Sequence, residues 1–281
     1  MEQVPGVSRR KWIFVLLLCL AGAFTFIWVL INARDQWTRR ELEQRVQKVI
    51  SLTAVPETAS FQERVDAARQ FVNGHSLYRE DEAFQAIRGN PIAMMDRLIA
   101  HAENPMSEPA HLECSARANI MSLILRAMGY RTRTLAAYDT DKRDLQPHSF
   151  LDVLNPETGA WESQDPFYDV YWKRASDPNR VSLAESAQSS DAIIPCGAGG
   201  YCSWDYISAE GLAVRKFIKH LDIITVTDKQ RGVRYAVFTP RANLTRIYLR
   251  RGRTGTFCQV LSKACKDGFY SMTNVSQLPR D

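Results

Sequence analysis

Residues 148–166 read HSFLDVLNPETGAWESQDP, and this stretch decides the fold. His148–Leu154 has the composition of a β-strand, and the residues Asn-Pro-Glu-Thr-Gly that follow form a cluster typical of turns. Residues 160–165 form a second strand-like run, which ends at Pro166. The pattern therefore predicts an antiparallel hairpin.

The length of the turn suggests a register for this hairpin. If Leu154 pairs with Gly159 across a four-residue loop, His148 lies directly opposite Asp165. Opposed residues share one face of the ladder, with Cβ atoms about 4.5–5.5 Å apart, so an imidazole reaches a carboxylate. A slip of one residue would put the two side chains on opposite faces.

Cys114 stands at the start of a predicted helix. Apolar residues recur at steps of three and four, at Ala116, Ile120, Leu123, Ile124, Ala127 and Met128. Gly129 then ends the helix. A helix N-terminus offers free backbone N–H groups and a dipole that favours an anion, and the thiolate is the nucleophilic form of cysteine. The same N–H groups are suited to an oxyanion.

These residues suggest a catalytic triad. Cys114 is the candidate nucleophile, His148 the general base and Asp165 the residue that orients the imidazole. His111 is the rival base, because it lies three residues before Cys114, in a predicted loop.

Four short motifs follow one another between residues 60 and 172. They are CSARAN (114–119), LRAMGYRTR (125–133), HSFLDV (148–153), and GAW (159–161) with DP (165–166). At these residues the chain resembles the transglutaminase-like superfamily of papain-fold cysteine enzymes. The chain departs from the family at Leu112, where glycine is usual, and at Phe150, where tryptophan is frequent. Both departures bear on the oxyanion hole and acyl-group specificity, and not on the triad.

The resemblance implies an α+β fold with a papain-like core, in which the nucleophile helix packs on an antiparallel sheet. It implies the same roles for Cys114, His148 and Asp165, with acyl transfer through a thioester to water or to an amine. The expected substrate is a protein or peptide, and neither a cofactor nor a metal is required. The alternative is a non-catalytic binding or assembly protein for an envelope or extracellular polymer.

The N-terminus predicts a membrane anchor. Residues 12–32 carry no charge, and about 20 apolar residues suffice to span a bilayer. Three basic residues precede the span, and a cleaved secretory signal has a shorter apolar core. We therefore expect an uncleaved signal anchor at 12–33 with residues 1–11 in the cytoplasm, although Arg34, Arg39, Arg40 and Arg45 oppose that orientation. A buried core helix is the alternative.

The cysteines favour an exported, periplasmic or extracytoplasmic domain. The chain has six, of which Cys19 lies in the predicted span. Two closely spaced pairs and one remaining residue are typical of an exported enzyme with two disulfides and a free nucleophile: Cys196, Cys202, Cys258 and Cys265, with Cys114 unpaired. Pairing within or between the two segments stays open. Zinc is the competing interpretation, but the spacings are longer than usual.

The rest of the chain is organised around this core. A stalk and linker are expected at 34–59, the catalytic domain at 60–180 and a disulfide-containing extension at 181–281. Helices are predicted at 61–71, 81–87, 91–102 and 208–219, with a capping box at Ser60 and Glu63. A hairpin is predicted at 222–239, and residues 173–195 are expected to be irregular.

The C-terminal region is rich in arginine, and the chain has a net charge of +5. The arginines concerned are Arg241, Arg246, Arg250, Arg251 and Arg253. A basic face attracts an anionic polymer or lipid, and a solvated strand face is the alternative. Export and the lack of a nucleic-acid-binding motif argue against nucleic acid as the partner.

Overall fold

The computed structural model describes residues 9–56, 58–138, 147–186, 192–216 and 223–238. Only the backbone is described at 9–19, 21–23, 26, 30, 223 and 233–238. The chain divides into two compact units, Met1–Gln44 and Arg45–Asp281. The second unit contains the sheet and the candidate site.

The helices and strands follow one another in a fixed order. The helices are α1 (Arg9–Leu52), α2 (Phe61–Gly74), α3 (Glu82–Ile87), α4 (Pro91–Glu103), α5 (Cys114–Ala127) and α6 (Leu183–Ser186). The strands are β1 (Ser76–Leu77), β2 (Ala110–His111), β3 (Thr132–Tyr138), β4 (His148–Leu154), β5 (Trp161–Asp165), β6 (Val170–Arg174), β7 (Ile193–Cys196), β8 (Ile223–Asp228) and β9 (Val233–Phe238).

The predicted membrane span falls within α1. In the portion of the chain that the structure describes, no helix has both the length and the apolarity needed to cross a bilayer. The side chains of residues 12–19, and of several others in the span, lie outside that portion. The anchor therefore stays a prediction.

The short helices before α5 begin where the sequence predicts. The predicted capping box is confirmed, because the Ser60 side chain accepts from the Glu63 backbone N–H and the Glu63 carboxylate accepts from the Ser60 backbone. The side chains of Asp81 and Asn90 cap α3 and α4 by accepting from the backbone N–H groups of Phe84 and Ala93. These local contacts fix the helix starts to within one residue, while α2 and α4 extend slightly beyond their predicted ends and α3 ends at Ile87 as predicted.

A seven-stranded antiparallel sheet forms the core of the second unit. Its strand order is β7-β6-β5-β4-β3-β8-β9, and α5 packs on β3 and β4. Strands β1 and β2 form a separate parallel pair, which leads the chain towards the start of α5. The fold is thus α+β, and residues on both sides of position 180 contribute strands to one sheet.

Two predictions of local structure were wrong. Residues 208–216 turn back on themselves and do not form an α-helix, because Ile207 bridges Ala213 and Gly211 has a φ of 74°. Residues 217–219 of that predicted helix lie outside the described residues. The segment 173–195 is not irregular throughout. Its two ends belong to β6 and β7, which pair antiparallel, with Tyr171 opposite Cys196.

A disulfide joins Cys196 and Cys202, so one of the two alternative pairings is confirmed for these residues. Among the cysteines whose side chains the structure describes, Cys114 is free. Cys258 and Cys265 lie outside the described residues, as do the five arginines at positions 241–253.

Candidate active site

Cys114 is the first residue of α5, and its sulfur lies against the start of β4. The Ser149 backbone N–H donates to Sγ over 3.4 Å, and Sγ is 3.9 Å from the Pro147 carbonyl oxygen. The sulfur thus accepts a backbone hydrogen bond and stands at the N-terminus of α5, the positive end of the helix dipole.

His148 is the first residue of β4 and is buried. Its Nε2 lies 2.7 Å from Asp165 Oδ2, and the ring also hydrogen-bonds Cys114. Since Asp165 occupies Nε2, Nδ1 is the nitrogen left for the sulfur. Burial lowers the pKa of His148, but the negative charges and hydrogen bonds of Asp165 and Cys114 outweigh it and raise the pKa to about 10. The imidazolium form is therefore strongly favoured at this position.

The register that the sequence suggested for the hairpin was wrong by two residues. Leu154 pairs with Trp161 and not with Gly159, so His148 and Asp165 are diagonal neighbours. The four-residue turn lies one residue further along the chain, because the Asn155 backbone N–H donates to the Ala160 carbonyl oxygen over 2.9 Å, and inside the turn Asn155 Oδ1 accepts from the Glu157 backbone N–H over 2.9 Å. Side chains alternate with a period of two, so an even shift keeps both residues on the same face. Their contact survives for this reason.

The Asp165 carboxylate is completely buried and is held by the turn that follows it. Its Oδ1 accepts from the backbone N–H groups of Phe167 and Tyr168, over 3.0 and 3.3 Å. Its Oδ2 is thereby directed at His148. The turn fixes both oxygens, so the carboxylate can orient the imidazole without moving itself.

Three buried side chains that the sequence reasoning missed tie this turn to the helices. Asn73 of α2 donates from Nδ2 to the carbonyl oxygens of Pro166 and Phe167, each over 3.1 Å. Arg117 of α5 donates to the Phe167 carbonyl over 3.3 Å. Arg69 of α2 donates to Asp169 over 2.9 Å. These partners are far apart in the chain, and no local sequence pattern marks them.

Arg117 also joins the site to the segment after the disulfide. Its Nη1 lies 2.6 Å from Glu210 Oε1, and Glu210 Oε2 accepts from the Tyr78 backbone N–H over 2.6 Å. The ion pair lies one helical turn after Cys114. It therefore connects α5, the end of β1 and the 208–212 turn.

Aromatic rings surround the imidazole. Ring centroids of Phe150, Phe167 and Tyr168 lie 6.1, 5.4 and 5.2 Å from that of His148. Burial, followed by the negative charges of Asp165 and Cys114, raises the pKa of Tyr168. The ring is thus held neutral, and this apolar wall excludes water from the charged pair, which strengthens their attraction.

The other motif residues form a second buried group on the same face of the sheet. Arg133 Nε donates to Asp152 Oδ2 over 2.9 Å, and the guanidinium lies 4.2 Å from the Trp161 ring centroid. Ser163 and Ser182 also donate to the Asp152 carboxylate. These residues stabilise the sheet, because every oxygen of a buried carboxylate finds a donor.

The rival base is placed elsewhere. His111 Nδ1 lies 2.9 Å from Asp81 Oδ1, and its Nε2 lies 3.1 Å from Glu108 Oε1. It is His148, and not His111, that the structure brings to Cys114. Within the described ranges, no group of three or more His, Cys, Asp or Glu residues is arranged to hold a metal ion.

Comparisons with known proteins add little to this geometry. No protein-family model matches the chain, and no curated protein matches it. One similar solved structure is a crystal structure of a TGase, with 17% identity over 54% of this chain and 37% of the other, at a TM-score of 0.30. Another is Rad4-Rad23 bound to a 6-4 photoproduct UV lesion, with 15% identity over 74% of this chain and 51% of the other, at a TM-score of 0.26. Such low scores assign neither a family nor a function.

Proposed function

We propose that this protein is a cysteine acyl-transfer enzyme, an amide or peptide hydrolase or a transglutaminase, in which Cys114, His148 and Asp165 form the catalytic triad. The observation that carries the proposal is the position of His148, which contacts Cys114 and lies 2.7 Å from Asp165. A buried imidazole between a thiol and a carboxylate is the arrangement that activates a cysteine nucleophile.

Before the reaction, the thiol proton of Cys114 has already passed to His148, so the first half begins from a thiolate beside an imidazolium. The sulfur attacks the carbonyl carbon of an amide, and the oxyanion that forms lies near the N-terminal N–H groups of α5. The imidazolium then gives its proton to the leaving nitrogen, and the C–N bond breaks. A thioester on Cys114 and a free amine result.

In the second half, water or an amine attacks the thioester. His148 takes a proton from the attacking group, and Cys114 leaves as the thiolate. Asp165 stays ionised throughout and stabilises the imidazolium. Hydrolysis and crosslinking therefore share every step and differ only in whether water or an amine attacks the thioester.

We further propose that α1 anchors the protein and that residues 34–281 lie outside the cytoplasm. Among the α1 side chains that the structure describes, seven large apolar ones are exposed, six of them in the predicted span: Leu20, Phe24, Ile27, Trp28, Val29 and Ile31, with Trp37 beyond it. Exposed apolar surface of this extent is unfavourable in water and suits a lipid environment. The Cys196–Cys202 disulfide suits an oxidising compartment.

Trapping with hydroxylamine tests the activity across many candidate substrates at once. The full chain is incubated with a tryptic digest of whole-cell protein and hydroxylamine, which attacks thioesters to give hydroxamates. Mass spectrometry should find new hydroxamates or newly cleaved peptides. Cys114→Ser should form none, because its hydroxyl is a much weaker nucleophile at the same position, and His148→Ala should be almost as inactive.

The near-isosteric serine variant is the control for folding. Equal product from the native chain and from Cys114→Ser would exclude the proposed nucleophile. No product from the native chain, with its fold intact, would leave the non-catalytic binding protein as the better interpretation.

A further inference from the structure

A second concave site lies beside the nucleophile helix, outside the proposed triad. It is a groove of about 430 Å³ between α5, the α3–α4 segment and the β8–β9 turn. Ligand sites in proteins commonly have volumes of about 300–1,000 Å³. Glu113 and Ser115 line it, and these residues flank Cys114 in the chain.

The groove has an apolar floor beside the polar side chains of Asn119, Ser122 and Thr134. Phe84, Met94 and Ile120 line it, and all three are buried in the folded chain. Such a floor favours the apolar body of a ligand over water.

Three cationic side chains also line the groove: Arg88, Arg126 and Lys229. Arg88 lies over the Phe84 ring, 5.7 Å from its centroid. Arg126 donates from Nε to Thr132 Oγ1 over 2.8 Å. In the portion of the chain that the structure describes, none of the three forms an ion pair with a carboxylate.

One carboxylate faces these cations. Glu113 lines the same groove, and it already accepts a hydrogen bond from Ser115 Oγ over 2.5 Å. With three cationic side chains and one carboxylate, the groove has a net positive charge above its apolar floor. We propose that this groove binds a small organic anion with an apolar body, such as an aromatic or aliphatic carboxylate or sulfonate.

The site is separate from the proposed chemistry, because Cys114 and His148 are not among the groove residues. Helix α5 nevertheless forms part of both. A ligand bound in the groove would contact the residues on either side of the nucleophile.

Calorimetric titration with naphthalene-2-sulfonate tests the proposal. The full chain is kept in a non-ionic detergent, with detergent alone as the blank. The native chain should bind the sulfonate at one saturable site. The double variant Arg88→Glu with Lys229→Glu should weaken binding at least about tenfold, because two attractive charges become repulsive.

Three controls make the result specific. The double variant Arg79→Glu with Arg97→Glu changes the net charge equally on exposed residues outside the groove, and it should bind like the native chain. Naphthalene-2-sulfonamide has the same rings without the charge and should bind at least about tenfold more weakly. Cys114→Ala should bind normally, whether or not the proposed activity exists.

Several outcomes would overturn the proposal. They are the absence of saturable binding to the native chain, equal binding of the sulfonamide, and native affinity in the groove variant. Loss of binding in Cys114→Ala would place the ligand in the catalytic cleft instead of the groove.

Discussion

Replacing Asp165 with asparagine isolates the electrostatic part of the proposed mechanism. The amide keeps an oxygen that can accept from the Phe167 and Tyr168 N–H groups, so the turn should retain its shape. What is lost is the negative charge beside His148 Nε2, at 2.7 Å. The change should therefore act on the protonation of the imidazole more than on the fold.

The size of the effect follows from the charges. Two unit charges about 4 Å apart, at an effective dielectric constant of about 20, attract by about 4 kcal/mol, or about three pKa units. The pKa of His148 is raised from 6.5 to about 10, a shift of similar size. Without the Asp165 charge, burial opposes the imidazolium and only Cys114 still favours it. We expect the pKa of His148 in Asp165→Asn to fall to its ordinary value or lower.

Alkylation by iodoacetamide reports this change. A protonated His148 favours the thiolate of Cys114, so the native chain should react rapidly even at pH 6. In Asp165→Asn the rate at pH 6–7 should fall by at least about tenfold and recover as the pH rises. The rate at Cys114 is followed by peptide mass spectrometry, which separates it from the other cysteines.

Asp152→Asn is the matched control. Asp152 is also a fully buried carboxylate of the same sheet, but it pairs with Arg133 and not with His148. Its variant should lose stability and keep the native pH dependence of alkylation. An Asp165→Asn protein with the native pH curve would refute the proposed role of the carboxylate.

Three further predictions concern stability, disulfides and topology. The folded-state pKa of His148 is raised above the unfolded value of 6.5, so its stabilising contribution is complete below pH 6.5 and is lost as the pH rises towards about 10. The free energy of unfolding in urea should decline over that range in the native chain and decline less in His148→Gln. Peptide mapping without reduction should recover Cys196 linked to Cys202 and Cys114 free, and Cys114 in a disulfide would contradict the proposed nucleophile. A reporter that is active only after export should be active when fused after Asp281, whereas activity of a cytoplasm-only reporter there would contradict the proposed topology.

Local features of the fold could be predicted from the sequence because their causes are local. Ser60 and Glu63 cap each other across three residues, and the start of α2 follows from that contact. The failed helix at 208–219 shows the limit of periodicity. Gly211 adopts a positive φ, and Ser208 N–H bonds the Leu212 carbonyl, so the chain turns where the apolar spacing suggested a helix.

That Cys114, His148 and Asp165 lie together could be predicted from the sequence, but the residues that support them could not. Cys114, His148 and Asp165 each stand at the end of a helix or strand, where sequence signals are strong. The hairpin register depended on where the turn closes, and the Asn155 backbone N–H closes it on the Ala160 carbonyl oxygen, one residue beyond the predicted turn. The contacts of Asn73 and Arg117 join chain segments that meet only in the folded state, so no spacing in the sequence predicts them.

The residues of the family-like motifs therefore have two different roles on one face of the sheet. At one end of β4, His148 and Asp165 form a charged pair that is suited to activating Cys114. Further along the same face, Arg133 and Asp152 form a fully hydrogen-bonded pair that stabilises β3, β4 and β5. Loss of one partner from the second pair leaves a buried charge, which is expected to cost about 3–5 kcal/mol of stability. A motif match alone cannot separate these roles, since both kinds of residue recur at fixed spacing. The distinction rests on which pair reaches the sulfur, and in this chain only His148 contacts Cys114 among the described histidines.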